Sequence, residues 1–182
     1  MQKIFITGAC LLAIAIAGTL YFLHAKRPIV TSDTITATTT SRTTEARQMP
    51  DGWREYQNVA YGFSLFYPQE LTVDEHKEGE GVSTITFQNI ERGEGFQIFV
   101  MPYHEERVSE ERFRKDVPSG VRTDMSDTTI DGATGATFYS TNMALGDMRE
   151  VWFIRGGRLY EVTTLKSLDT WLGEIMKTWK FL

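Results

Sequence analysis

Cysteine is almost missing: Cys10 stands alone, so no disulfide can form within the chain. A globular part without cysteine fits a reducing compartment or an envelope domain held by its core alone. Histidine is nearly as scarce, with His24, His76 and His104 the full set. No Gly-x-Ser-x-Gly run accompanies them, and Gly62-Phe63-Ser64 reads as strand, so nucleophilic hydrolysis lacks its elements. Basic charge is short where a nucleic-acid partner would need it. Residues 51–182 hold fourteen Lys/Arg against twenty-two acids, while residues 1–50 hold five against Asp33 and Glu45. A main domain of charge −8 argues against phosphate-backbone binding. The glycine pairs Gly79-x-Gly81 and Gly93-x-Gly95 sit among acids with no helix start behind them, so they form turns and do not cradle phosphate. No cofactor is expected.

What is present divides the chain. With 41% apolar, 12% aromatic and 24% charged residues, its 182 residues suit one globular domain plus appendages. Ile4 to Leu23 is an uncharged apolar run with no proline. As a helix it is roughly 30 Å long, the thickness of a bilayer's hydrocarbon. Lys3 marks one edge, and Tyr21, His24, Lys26 and Arg27 mark the other. Residues 1–27 are therefore expected to be a transmembrane anchor whose partner is the lipid bilayer. A cleaved signal peptide shares the charged start, but Phe22-Leu23-His24-Ala25 lacks a small-x-small cleavage pattern. Thr7-Gly8-Ala9 before Cys10 resembles a lipoprotein signal, yet the apolar run ahead of it is too short, which leaves Cys10 a small membrane-buried residue.

Residues 28–50 form a linker, Thr-rich from Thr31 to Thr44 and without apolar periodicity, which cannot recover its ordering entropy by packing. The basic residues flanking the span are nearly balanced, so orientation rests on the hydroxyl-rich tether, which points to a domain facing the extracytoplasmic side.

Residues 51–182 carry strand signals. Tyr61 to Pro68 is a strand that Pro68 ends, and Val82 to Ile90 puts Ile85 and Phe87 on one face. Glu91-Arg92-Gly93-Glu94 turns the chain and Gly95 to Met101 returns. Gly156-Gly157 joins Val151–Arg155 to Arg158–Thr163 as a tight hairpin, and Asp131-Gly132 and Gly146-Asp147 give further turns of a meander from Val121 to Thr164. Ser109 caps a helix with acids in its first turn. Ser167 is expected to cap a second, in which Leu168, Trp171, Leu172, Ile175 and Trp179 form an apolar stripe. A stripe of that kind needs a sheet beneath it, so the fold class is α+β: an antiparallel β-sheet flanked by helices, preceded by one transmembrane helix.

The order of these segments resembles the PsbP-like superfamily, whose fold is shared with a Ran-binding nuclear import factor. Tyr61-Gly62-Phe63-Ser64-Leu65-Phe66-Tyr67-Pro68 is similar to the family's opening strand. Ile130-Asp131-Gly132, Arg158-Leu159-Tyr160, and a closing helix followed by Trp179-Lys180-Phe181 match in turn, over about Trp53 to Leu182. The resemblance implies an accessory or binding subunit without catalysis, hence a protein partner. Photosynthetic members are extrinsic subunits of the oxygen-evolving complex. This chain departs from them, with Gln69-Glu70-Leu71 where a Gly-Trp pair is often found, and with its anchor and tether.

Two imidazole–carboxylate clusters are the candidates for divalent metal: Asp74-Glu75-His76 with Glu78 and Glu80, and His104-Glu105-Glu106. Neither has His-Glu-x-x-His spacing, and Asp124, Asp127 and Asp131 do not match a calcium loop. A site would require His76 and Glu78 to meet His104 and Glu106 in space; otherwise these are solvated acids, and no metal is expected. A metal-dependent hydrolase built on them and a passive envelope spacer are the rival functions. Trp152, Tyr160, Trp171 and Trp179 could line a ligand groove between the sheet and the final helix but are read as core, and Trp53 and Tyr56 as candidate contact residues at the domain's entry or packing on the sheet edge.

Overall fold

The computed structural model describes residues Arg47–Leu182. The apolar run Ile4 to Leu23, Cys10 and the Thr-rich stretch lie outside the described residues. Among the described residues no helix is long and apolar enough to cross a membrane. The compact unit begins at Arg47, inside the stretch assigned by composition to the linker. Its guanidinium donates to the Thr178 carbonyl, to Glu55 Oε1 at 2.6 Å and to Ser64 Oγ at 2.6 Å, and it lies 4.5 Å over the Phe66 ring. One polar-looking residue is thus held by four partners that no local pattern reveals.

Ten strands and two short helices follow. β1 (Trp53–Asn58), β2 (Phe63–Pro68) and β10 (Lys180–Phe181) form a three-stranded antiparallel sheet in the order β1-β2-β10. β3 (Thr72–Gly79), β4 (Val82–Asn89), β5 (Glu94–Pro102), β6 (Thr123–Ile130), β7 (Ala133–Asn142), β8 (Gly146–Arg155) and β9 (Arg158–Leu165) form the large sheet in the order β3-β4-β5-β9-β8-β7-β6. All its pairings are antiparallel, and β6 to β9 make the expected meander. Helix α1 (Glu110–Asp116) lies between β5 and β6 in the chain, and α2 (Asp169–Met176) follows β9 after a short 3-10 turn at Lys166–Leu168.

Turn chemistry sets the registers. Gly156 and Gly157 hold φ of 59° and 74°, the left-handed values that a two-residue hairpin demands, and Arg155 pairs directly with Arg158. Asp131 and Gly132 do the same at 44° and 80° between Ile130 and Ala133. Gly146, expected within a turn, instead opens β8 opposite Asn142, and the turn lies one step earlier because Asn142 Oδ1 accepts from the N–H groups of Ala144 and Leu145.

Each face of the large sheet has its own core. On one face Ile85, Phe87, Phe96, Ile98, Phe153, Tyr160 and Val162 pack beneath the small sheet and α2. Trp179 stacks on Phe63 at 4.3 Å, and the Tyr160 hydroxyl donates to the Tyr61 carbonyl at 2.6 Å. Fully burying an aromatic side chain of this size contributes roughly 2–3 kcal/mol, so this cluster dominates the stability. On the other face Tyr103, Phe113, Val117, Phe138, Trp152 and Leu159 form a second core beneath α1. Ser109 caps α1 as expected, accepting from the Arg112 N–H at 3.3 Å.

Ser167 does not cap α2. It falls in the 3-10 turn, and Leu168 occupies the cap position without a side-chain bond. The buried stripe is Leu172, Ile175 and Met176; Trp179 lies beyond the helix, placed by the turn that precedes β10. Thr72 to Gly79, where charge suggested a solvated segment, is a full edge strand: an edge needs no apolar face when only Val73 among its side chains packs on the core.

Candidate functional site

The predicted residues are scattered. His76 and Glu78 are exposed on edge strand β3, where the His76 carbonyl accepts from Ser83 Oγ at 3.1 Å and Glu78 Oε1 accepts from Thr84 Oγ1 at 2.7 Å. His104 and Glu106 are exposed on the segment after β5, with His104 beside the Gly157 turn. Among the described residues no three His, Cys, Asp or Glu side chains gather to hold a metal ion, so the two clusters do not meet as a site. Trp53 and Tyr56 lie on β1, half-buried against the larger core. Tyr56 packs edge-on to Phe87 at 5.2 Å and donates to Glu75 Oε2 at 3.2 Å. Burial, with the Glu75 carboxylate nearby, pushes its phenol up to about 12. These two side chains serve the joint between the sheets. Trp152 belongs to the core under α1, away from Tyr160 and Trp179 on the opposite face.

The strongest electrostatic feature is one the motifs did not indicate. Glu150 on β8 and Glu161 on β9 face the second core, with 8% and 5% exposure. Glu150 accepts from Ser140 Oγ at 2.7 Å and from Trp152 Nε1 at 3.1 Å. Burial outweighs those bonds and lifts its carboxyl to about 7. Glu161 sits 3.8 Å from the Arg112 guanidinium, which binds Asp116 one turn along α1, and Glu161 Oε1 has no hydrogen-bond partner among the described residues. Burial and the neighbouring Asp116 carboxylate hold Glu161 well above the ordinary range. Asp116 and Glu161 share the Arg112 guanidinium, and Glu150 adds a further carboxyl near Glu161, so burial and like charge together favour the protonated forms of Glu150 and Glu161. A signal exists for Glu161, the lone acid of β9, between Tyr160 and Val162; Glu150, next to Arg149 and in the same strand as Asp147, carries none as clear. α1 and the second core cover them, which removes them from contact with a substrate.

Open surface lies elsewhere. A groove of about 380 Å³ runs between α2 and β6–β8, floored by Ile130, Val151, Leu172 and Trp179. Arg149 bonds Asp169 at 3.0 Å, and Lys180 bonds Asp131 at 2.6 Å along its rim. Burial raises Asp131, but Lys180 and the Phe181 N–H, at 2.8 Å, outweigh it and hold the carboxyl below its usual value. The hydroxyl of Tyr139 donates to Asp169 at 2.6 Å, which raises the phenol. A second groove, of about 670 Å³, opens on the other face between the segment leading into α1 and strands β6 and β7, with Val108, Phe113, Met125 and Ile154 among its walls.

No family model matches the chain, and no curated protein matches it. Among solved structures the chain is similar to the solution structure of cyanobacterial PsbP (CyanoP) from Synechocystis sp. PCC 6803, at 13% identity and a TM-score of 0.54. The match covers 78% of this chain and 100% of that one. Seven-stranded sheet, small sheet and helices together make a PsbP-like fold.

Proposed function

We propose that the chain is a non-catalytic binding domain, tethered to the cell membrane by Ile4 to Leu23 and facing the extracytoplasmic side. One observation supports the non-catalytic reading: the two carboxyls lifted above their ordinary acidity range, Glu150 and Glu161, are sealed beneath α1, while Asp131 and Asp169 on the rim of the open groove are held in salt bridges. Tethering is supported by the length of the apolar run and the Thr-rich stretch after it. The PsbP-like fold supports an accessory role in the sense that the family resemblance implies.

The test is affinity capture of the full chain from detergent-solubilised membranes, with fractionation alongside. The expected result is recovery with the membranes and repeated retention of the same protein partner. Recovery of the full-length chain as a freely dissolved species, or consistent capture of nothing, would overturn the reading.

A further inference from the structure

Arginines lying over aromatic rings recur in this chain, and three of them also hold a carboxylate. Arg47 lies over Phe66 and bonds Glu55 at 2.6 Å, Arg122 lies over Phe113 and bonds Glu110 at 2.7 Å, and Arg149 lies over Tyr139 and bonds Asp169 at 3.0 Å. The ring fixes the guanidinium, and its N–H groups take the carboxylate. Arg155 and Arg158 meet only the first half of this arrangement. Arg155 lies 5.6 Å from the centre of the Phe181 ring and Arg158 lies 5.7 Å from that of Tyr61. Among the described residues neither guanidinium has an ion pair or a hydrogen-bonded side-chain partner.

The two are direct neighbours. They close the β8–β9 hairpin as an opposed pair, so both side chains leave the same face of the sheet. Like charges directly opposite one another cost stability, and a turn made by Gly156-Gly157 requires neither arginine beside it. Asp131 is near enough for Arg155 to help lower its carboxyl, but both its oxygens are engaged: Oδ1 accepts from Lys180 at 2.6 Å and Oδ2 from the Phe181 N–H at 2.8 Å. His104 stands beside Gly157, and Glu105 and Glu106 after it pair with neither arginine. Two cations thus stand together without a bonded counter-charge on a domain of charge −8. The turn that carries Tyr61 also leaves Val59 78% exposed. Arginine, aromatic ring and exposed aliphatic side by side is the composition of a protein contact, whereas a free inorganic anion has no use for the aliphatic.

We infer that Arg155 and Arg158 receive acidic side chains from one segment of a partner protein, with Val59 packing against an apolar residue of the same segment. This rests on the reading of the chain as a binding domain and names the surface it uses. The partner's carboxylates complete at Phe181 and Tyr61 the ring–guanidinium–carboxylate arrangement that the chain builds for itself at Phe66, Phe113 and Tyr139.

The test places a photoreactive benzophenone side chain at Val59, or at the fully exposed Met143 on the β7–β8 turn at the opposite end of the large sheet, in the full chain in its own membranes. Protein adducts are expected from Val59 and not from Met143, mapping to a partner segment that carries Asp or Glu beside an apolar residue. Arg155→Glu sets a carboxylate opposite Arg158 and so withdraws both guanidiniums at once; it should cut the adduct yield about tenfold. Its urea midpoint should not fall, because repulsion across the hairpin becomes attraction. Should Arg155→Glu fold poorly, Arg155→Gln combined with Arg158→Gln gives the same answer, with the yield again reduced about tenfold. Replacing the partner's contact acids by Lys should restore the yield with Arg155→Glu and lower it with the wild-type chain. An unchanged yield in a folded variant, a contact segment without acids, or Val59 adducts only to lipid or to a second copy would overturn the inference. Adducts from Met143 alone would overturn it while leaving the binding-domain reading in place; adducts from neither position would count against both.

Discussion

Raising the pH should destabilise this domain through Glu150, the reverse of what a salt-bridged carboxylate does. In the folded chain the Glu150 carboxyl is lifted from 4.5 to about 7 by burial. A raised acid contributes stability that is fully present below the unfolded value and is lost as pH climbs through the folded one. At about 1.4 kcal/mol per pH unit, the loss between pH 4.5 and 7 is roughly 3 kcal/mol for this group alone. Glu161 adds a loss of the same sign. Glu150→Gln isolates the first contribution. The amide oxygen can accept from Trp152 Nε1, and the Ser140 hydroxyl, now donating to Glu150, can rotate to accept from the amide nitrogen. Urea unfolding followed by tryptophan fluorescence should show wild type and variant nearly equal at pH 5, with the variant more stable by about 3 kcal/mol near pH 9. If the two stability curves run parallel across that range, the burial-driven shift is absent and the reasoning fails.

Gly135→Ala should cost about 3 kcal/mol in the same assay, because a Cβ there would stand 2.2 Å from the Trp152 carbonyl oxygen and 2.6 Å from Phe153 Cβ, atoms of a central strand that cannot move aside; an unchanged midpoint would refute the crowding. Ser109→Ala should lose about 1 kcal/mol by uncapping α1 and removing the Oγ acceptor that the Tyr103 hydroxyl reaches at 3.4 Å, with Ser109→Asp restoring most of it. Titration with zinc, manganese or calcium to millimolar concentration should give no saturable heat; heat abolished by His76→Ala or His104→Ala would revive the metal-dependent alternative.

Strands and hairpins were legible wherever one local rule governed them. Gly156-Gly157 and Asp131-Gly132 announce their turns by the backbone angles those residues tolerate, and Ile85 and Phe87 announce a core face by alternation. β3 was illegible because an edge strand guarded by charge has the composition of a loop. The cap of α2 was misread since Ser167, a good capping residue, was drawn into a 3-10 turn by the chain's exit from β9. The groove beside Phe113 and the place of β6 at the sheet's edge could not be read at all: they arise from strand order, which joins segments far apart in sequence. Glu150 and Glu161 lay in plain view, but their burial on the second face appears only once α1 is seen to cover it.

The hairpin of β8 and β9 feeds two separate interiors, sending Val151, Phe153, Tyr160 and Val162 to one and Glu150, Trp152, Leu159 and Glu161 to the other. A misalignment by a single residue would drag two acids into the larger oily interior and leave aromatic rings facing Arg112. Awkward as they are for stability, these acids make the wrong alignment far worse than the right one, and so act as an error check while the chain folds.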